Sequence, residues 1–293
     1  MPRPKIKKGK LSENKKLPTP LSSSQITNHV LYFIEQSKLG ITEYCLQQIE
    51  TQLLNISGES VFLVIHTLGG DIYTAVRIVL ILRDKFKKIK VLIPEYAYSS
   101  GTIISLGGHE IYMDKDAMLG PLDKPMEHPT DGSEISSLDI TKTLPNISST
   151  GLSMAMSIYK KLRNNDDKDL RIGKIEAAKI AFKTTTEIIT SITSKIDPYH
   201  LQKGYRETQI ARNYALDLLS SGMMKDDFYL AIETSNSLVN NYPSHGYGIF
   251  RKEAKDVLKL NIMNLEDLPE WSKIKPEFDI IKSKARYFNY KKI

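Results

Sequence analysis

The sequence predicts an α/β fold, in which a parallel sheet with crossover helices is followed by a helical C-terminal part. Apolar runs of strand length stand at residues 61–66 and 89–94, without polar alternation, as expected of strands that are buried on both faces. Between these runs, residues 71–86 have the spacing of a helix. Strands that alternate with helices over short connections favour a parallel sheet.

The other elements are predicted from the same patterns. Residues 30–35 and 110–113 are predicted strands, and residues 41–54 form a helix with an apolar residue at every fourth position. Residues 126–150 are polar, carry few periodic signals and are predicted to form a loop. Helices follow at 152–162, 175–192, 201–219, 229–239 and 251–258, with a short strand at 245–250 before the last of them.

The composition is that of a globular protein without a membrane span. The chain has 293 residues, of which 41% are apolar and 26% are charged. It contains no apolar run of about 18 residues, the length that a membrane-spanning helix needs. A single cysteine, Cys45, excludes an internal disulfide framework, and no apolar signal segment follows the basic N-terminus. We therefore expect a cytoplasmic protein.

The net charge of +7 is concentrated in the N-terminal tail. Residues 1–20 hold seven Lys or Arg residues against one acidic residue, so the body of the chain is nearly neutral. A solvated tail is the ordinary interpretation, and weak contact with an anionic membrane surface or a nucleic acid is the alternative. The predicted organisation is a disordered basic tail at 1–24, one domain at 25–262 and a C-terminal extension at 263–293.

Two glycine-containing turns each follow a buried strand and precede a helix. They are H-T-L-G-G-D at 66–71 and A-Y-S-S-G-T at 97–102. At the carboxyl ends of parallel strands such turns lie close together, and glycine lets backbone N–H groups approach a ligand. A serine in one turn could then face N–H donors of the other, which is the arrangement that acyl transfer requires. Taken singly, each is more often a plain turn or a helix cap.

The turns do not fit other glycine motifs. Neither has the spacing of a phosphate-binding loop or of the dinucleotide-binding motif, and the G-x-S-x-G elbow of α/β-hydrolases is missing.

Three successive motifs resemble those of the serine dehydrogenase proteinase family. They are V-I-H-T-L-G-G-D-I-Y-T-A, V-L-I-P-E-Y-A-Y-S-S-G-T-I-I-S-L-G-G-H-E-I-Y-M-D and A-M-L-G-P-L-D, and the resemblance covers residues 28–262. This family is grouped with signal peptide peptidase A-like enzymes in the Clp-protease and crotonase superfamily. The resemblance implies a stacked crotonase/Clp-protease-like sheet and a serine peptidase that acts on peptides or proteins. It also implies a homo-oligomer, with helices of 150–240 at its interface, and no metal or cofactor.

The same resemblance implies roles for residues of both turns. Ser99 falls on the position of the nucleophile, and the N–H groups of Gly69, Gly70 and Ser100 fall where the superfamily forms its oxyanion hole. Leu68 stands where the family usually has proline, and Ser100 stands where it usually has alanine or glycine. Ser100 is therefore a competing serine that experiments have to separate from Ser99.

The general base is left open between a lysine and a histidine, since relatives use either a Ser-His-Asp triad or a Ser-Lys dyad. Lys195 has a setting similar to that of the dyad lysine, and His66 ends a buried strand beside the first turn. Both have plainer interpretations, a solvated lysine and a histidine that orients the loop. Lys203 and His128 are weaker candidates, and Asp123 is expected to bind backbone amides of its own turn.

Two other functions compete with the peptidase hypothesis. One is a non-catalytic interaction protein on the same fold, whose basic tail docks to a membrane or a nucleic acid. The other is a crotonase-type acyl-thioester enzyme, which uses the oxyanion hole without the serine and would be indifferent to Ser99→Ala.

Overall fold

The computed structural model of the chain describes residues 29–54, 56–127, 132, 134–164, 172–284 and 286–292. The predicted basic tail at 1–24 and the candidate base His128 lie outside the described residues.

The described strands form a mostly parallel sheet of nine strands and a separate two-stranded hairpin. The hairpin consists of β7 (Pro125–Glu127) and β8 (Glu134–Ser136). The sheet contains β1 (His29–Glu35), β2 (Gly58–Thr67), β3 (Phe86–Ile93), β4 (Tyr96–Ala97), β5 (Glu110–Met113), β6 (Met118–Leu119), β9 (Ile249–Phe250), β10 (Ile262–Asn264) and β11 (Arg286–Lys292).

Helices connect and cover these strands. They are α1 (Glu43–Leu53), α2 (Ile72–Lys85), α3 (Ser100–Leu106), α4 (Ser137–Arg163), α5 (Lys174–Thr193), α6 (Pro198–Ser220), α7 (Phe228–Asn240), α8 (Arg251–Asp256) and α9 (Trp271–Ile281). Strands β1, β3 and β4 pair in parallel with β2, and only β9 and β11 pair antiparallel with strands of this described sheet. The predicted α/β fold class and the predicted helices between 150 and 240 are confirmed.

The central strand β2 is apolar from Val61 to Ile65 because both of its faces are covered there. Leu63 and Ile65 belong to the larger core, under the helices α1, α2, α3, α6 and α7. Phe62 and Val64 belong to a second core, under α9. Alternate side chains of a strand point to opposite faces, so a strand between two helical layers needs an apolar residue at every position.

One edge of β2 is shared by two strands. Residues 61–67 pair with β1 along one edge, while the other edge pairs with β3 up to Val64 and with β4 at Thr67. The sheet therefore divides at the end of β2, with β3, β5 and β10 on one branch and β4, β6 and β9 on the other. The second branch carries the serine turn.

The predicted loop at 126–150 is wrong, because α4 begins at Ser137 and runs through this segment. A capping box starts the helix: Ser136 accepts a hydrogen bond from the Leu138 N–H at 3.0 Å, and its own N–H donates to Asp139 at 3.2 Å. Pro145 lies inside the helix and masked its period in the sequence. Packing of α4 against α5 and α6 stabilises the helix despite the proline.

The C-terminal segment predicted as an extension contributes to the sheet and its second core. β11 pairs antiparallel with β1 over its whole length, and α9 buries Trp271, Ile274, Phe278 and Ile281. The predicted strand at 245–250 is shorter than expected, since β9 begins at Ile249. No helix within the described ranges is both long and apolar enough to cross a membrane.

The second core gives the first testable prediction. Phe278 is 2% exposed, and we expect Phe278→Ala to lower the free energy of unfolding by about 3–5 kcal/mol, because the cavity left between α9 and β2 cannot close fully. Phe228→Ala is the matched control, since that ring is 56% exposed at the start of α7. Urea unfolding of both variants measures the difference, and equal losses would contradict the role assigned to α9.

Candidate active site

Ser99 lies on a strained turn between β4 and α3. It is the residue before the helix and has φ 51° and ψ −116°, a left-handed conformation that is uncommon for a residue with a side chain. Such strain costs on the order of 1–3 kcal/mol and persists only where the surroundings enforce it. Here the Gly101 N–H donates to Tyr98 O at 2.7 Å, and the Thr102 N–H donates to Ser99 O at 2.8 Å. These bonds hold the turn closed and leave the serine half-exposed.

Glycines surround the Ser99 turn because there is no room for a side chain. A Cβ atom on Gly69 would lie 2.8 Å from Ser99 Cβ, and one on Gly120 would lie 2.9 Å from Ser99 N. A Cβ on Gly101 would lie 2.5 Å from the Thr67 side chain. The turns that follow β2, β4 and β6 are thus packed backbone against backbone around the serine.

The first glycine turn is fixed by the loop before α1. Gly69 and Gly70 have φ values of 106° and 146°, which favour glycine. The Ile41 N–H donates to Gly69 O, and the Asp71 N–H donates to Ile41 O, both at 2.8 Å. In this bridge Gly69 O and the Asp71 N–H face Ile41. The C=O and the N–H of one trans peptide point in opposite directions, so the N–H and the C=O of Gly70 face away from Ile41. The Gly69 N–H donates to Thr67 Oγ1 at 3.1 Å.

A histidine and an aspartate meet beside the serine turn. Asp123 is 1% exposed, and its Oδ1 lies 3.1 Å from His245 Nδ1. Its Oδ2 accepts a hydrogen bond from Ser136 Oγ at 2.5 Å, so the residue that caps α4 also holds the carboxylate. Both oxygens of this buried acid therefore have partners, as a buried carboxylate requires.

The topology explains why these residues converge. Ser99 follows the end of β4, and Asp123 follows the end of β6, which pairs parallel with β4. β9 is antiparallel to β6, so it begins at the end of the sheet where β4 and β6 finish. His245 precedes β9 and is thereby brought to the same edge.

A cavity of about 780 Å³ opens at this edge, within the range of ligand-binding pockets. Both turns and the acid-histidine pair contribute to its lining: Gly69, Gly70, Ser99, Ser100, Asp123 and His245.

The remaining walls of the cavity are apolar at depth and charged near the mouth. Ile103, Leu122 and Ala211 line it, and each is at most 4% exposed. Lys124 Nζ lies 2.8 Å from Glu207 Oε2, which joins the strand end at Asp123 to helix α6. A ligand could therefore place an apolar group inside and polar groups at the opening.

Of the six predicted site residues, four line the cavity and two do not. Ser99, Ser100, Gly69 and Gly70 line the one cavity, as described above. Lys195 is exposed in the turn after α5, and neither it nor His66 is part of the cavity lining.

His66 is buried on the other face of β2. It is 2% exposed, its ring centroid lies 4.1 Å from that of Tyr96, and Phe278 of α9 lies beneath it at 5.8 Å. Its Nδ1 lies 3.5 Å from the Glu95 carboxylate, which is bound in turn by Lys282 at 3.1 Å. Burial lowers the pKa of His66, Glu95 opposes that shift, and Lys282 adds to it. His66 is therefore a neutral core residue whose protonation the fold disfavours.

The sequence reasoning gave no role to His245 and expected Asp123 to bind backbone amides. The structure instead pairs the Asp123 carboxylate with His245 and with the Ser136 hydroxyl. The available signal for His245 was its place in P-S-H-G-Y-G, a polar turn directly before a short strand. Within the described residues, no group of three or more His, Cys, Asp or Glu side chains is arranged to hold a metal ion.

Comparison with known proteins agrees with the motifs. Residues 54–161 match the family model of the ClpP-like SDH-type serine proteinases. The matched segment contains both glycine turns, Ser99 and Asp123, and ends before His245. The predicted resemblance to serine dehydrogenase-type proteinases is confirmed over this segment.

Individual relatives match shorter parts of the chain or match it more distantly. The uncharacterized proteins MJ1495 and MJ0137 of Methanocaldococcus jannaschii are 46% and 43% identical over 61 residues, 21% of this chain and 21% of each relative. The chain thus matches about a fifth of the length of these relatives. A mutant of the 1510-N membrane-bound stomatin-specific protease in complex with a substrate peptide is 22% identical, with a TM-score of 0.30, over 52% of this chain and 72% of that one.

The buried histidine gives a prediction about pH. Because the pKa of His66 is lowered in the folded state, the unfolded chain takes up the proton more readily, and stability falls as the pH drops below the ordinary histidine value of about 6.5. We expect His66→Phe to reduce the loss of unfolding free energy between pH 7.5 and pH 5.5, as measured by urea unfolding. His109 retains part of the dependence, since burial lowers its pKa too. An unchanged loss in His66→Phe would contradict this account.

Proposed function

We propose that the protein is a serine peptidase in which Ser99 is the nucleophile, His245 is the general base and Asp123 orients the histidine. The observation that carries the proposal is the Asp123–His245 contact of 3.1 Å in the wall of the cavity that Ser99 lines. A strained serine turn, a histidine and a buried carboxylate at one cavity are the parts that such a reaction needs. The match of residues 54–161 to serine proteinases supports the same reaction class.

The reaction follows from the orientation of the imidazole. His245 Nδ1–H donates to Asp123, so Nε2 is the nitrogen that accepts the Ser99 proton. Ser99 Oγ attacks the carbonyl carbon of the scissile bond, and the tetrahedral intermediate collapses when His245 gives that proton to the leaving amine. Water, deprotonated by His245, then attacks the acyl-enzyme, and His245 returns the proton to Ser99 Oγ as the acid leaves.

The backbone supplies the donors for the oxyanion. Ser100 opens α3, so its N–H lies ahead of the first intrahelical hydrogen bonds, and the N–H of Gly70 faces away from Ile41. We assign the oxyanion to these two groups. The Gly69 N–H, also predicted as a donor, is bound to Thr67 Oγ1, and Gly69 serves instead to let the turn approach Ser99.

Peptides with an apolar residue beside the scissile bond are the substrates that the cavity fits. Ile103, Leu122 and Ala211 form an apolar wall close to the serine turn, and burying an aliphatic side chain there contributes about 1.5–3 kcal/mol. The basic tail and any contact it makes with a membrane or nucleic acid lie outside the described residues.

Covalent labelling by a fluorophosphonate probe tests the catalytic proposal. We expect Ser99→Ala to abolish labelling, His245→Ala to slow it by about 10³–10⁴-fold, and Asp123→Asn to slow it comparably, because each removes an activator of the nucleophile. The Ser100 hydroxyl donates a hydrogen bond to Gly70 O, so Ser100 should stay unlabelled. Mass spectrometry locates the modified residue.

The controls are the two residues that the sequence favoured as base. Lys195→Ala and His66→Gln should label at nearly the wild-type rate. A folded wild-type protein that does not react would support the non-catalytic interaction protein instead, and loss of labelling in Lys195→Ala would assign the base to that lysine.

We further propose that the protein forms a homo-oligomer through α5. This helix packs on α4 and buries the small residues Ala177, Ala181 and Thr185. On another face it exposes Ile175 and Phe182, which are seven residues apart and therefore on the same side of the helix. A second copy offers the same two residues, and the two faces can bury each other in a closed, symmetric contact.

The oligomer proposal predicts a change in assembly state. Phe182 is 57% exposed, and Phe182→Lys should shift the protein toward monomer in sedimentation velocity, because a charge would have to be buried at the contact. Tyr229→Lys, at a residue 82% exposed on α7, should leave the assembly unchanged. A wild-type protein that is monomeric at all accessible concentrations would overturn the proposal.

A further inference from the structure

The hydroxyl of Ser100 links the two glycine turns of the cavity. Ser100 is 3% exposed, and its Oγ donates a hydrogen bond to Gly70 O at 2.6 Å. The two residues are thirty positions apart and belong to the turns that follow β4 and β2. The bond therefore fixes one turn relative to the other, in addition to the packing of Gly69 against Ser99.

Gly70 needs such a fixing contact. Its φ of 146° is a conformation open to glycine, which has no side chain to limit its rotation. The Gly69 C=O and the Asp71 N–H are bound to Ile41, whereas the Gly70 C=O turns toward α3 and meets the Ser100 hydroxyl. The C=O and the N–H of Gly70 belong to different peptide groups, which meet at its Cα. The Ser100 bond therefore limits rotation at this Cα and holds Gly70, whose N–H is assigned above to the oxyanion, next to Ser100.

We infer that Ser100 is a positioning residue, whose side chain orients Gly70 so that the Gly70 N–H and the Ser100 N–H converge on the oxyanion. This inference rests on the proposed function and adds to the backbone role of Ser100 a separate role for its hydroxyl. The hydroxyl does not compete with Ser99 as a nucleophile, because it is buried and its O–H donates a hydrogen bond to Gly70 O. In this proposal Ser99 attacks the substrate and Ser100 positions Gly70.

Removing the hydroxyl should slow the chemical step and leave substrate binding intact. Ser100→Ala keeps the backbone N–H but frees Gly70, and small errors in the position of a catalytic group cost up to about a hundredfold. We expect the second-order rate of fluorophosphonate labelling at Ser99 to fall about ten- to a hundredfold. With a fluorogenic peptide amide that carries leucine before the scissile bond, kcat should fall by a similar factor and KM should stay unchanged.

Two variants distinguish orientation from a general loss of stability. Ser105→Ala is the matched control, since Ser105 lies on the same helix, is fully buried and donates to Gly101 O at 2.8 Å without touching the first turn. It should label at nearly the wild-type rate. Ser100→Cys, which retains a weaker donor of similar size, should recover part of the rate that Ser100→Ala loses. The pH profile should keep its midpoint in all three variants, because the base is untouched.

The outcomes separate this inference from the function on which it rests. A wild-type protein that does not react refutes the proposed function itself. A reactive wild type with Ser100→Ala reacting equally fast refutes the positioning role alone. Equal losses in Ser100→Ala and Ser105→Ala would also overturn it, because the effect would then come from any lost hydroxyl in α3.

Discussion

The close approach of the two glycine-containing turns is the contact on which the rest of the site depends. Gly69 lies so near Ser99 that a single added carbon atom would overlap it, and Gly120 crowds the serine from the other side. The positions of Ser99, of the N–H groups of Gly70 and Ser100 and of the cavity between them all depend on this backbone packing. Side chains such as Thr67 and Ser100 then fix the orientation of individual peptide groups by hydrogen bonds. Backbone packing thus sets the positions of the two turns, and hydroxyl groups fix the orientation of single peptide groups within them.

The division of the sheet at the end of β2 makes this packing possible. Because β3 and β4 share one edge of β2, the chain leaves β3 and re-enters beside Thr67, which presents the Ser99 turn directly to the Gly69 turn. The short strands β6 and β9 then continue the branch and add the carboxylate and the histidine. Helix α9 covers the opposite face, where His66 is buried, so the sheet lies between this histidine and the cavity.

The sequence predicted the elements that are set by neighbouring residues. It missed the contacts between residues that are far apart in the sequence. Buried strands, the early helices and both glycine turns are local patterns, and the resemblance to the proteinase family then indicated Ser99, Gly69 and Gly70 within those turns. His245 lies 122 residues after Asp123, and only the antiparallel direction of β9 brings the two together. Lys195 was a candidate because its setting is similar to that of the dyad lysine of relatives, and His66 because it ends a buried strand beside the first turn. The first half of helix α4, before the predicted helix at 152–162, was missed because Pro145 interrupts its period. Helix α9 was missed because apolar spacing cannot reveal which sheet face lacks a cover.

The left-handed backbone at position 99 sets the stability of the fold against the presence of a hydroxyl group at this position. Glycine adopts that conformation freely, so a sequence shaped for folding alone would have glycine there. Serine at this position lowers the stability of the fold by about 1–3 kcal/mol and places a hydroxyl group in the wall of the cavity. The fold therefore keeps a strained residue in place through the close packing of Gly69 and Gly120 around it.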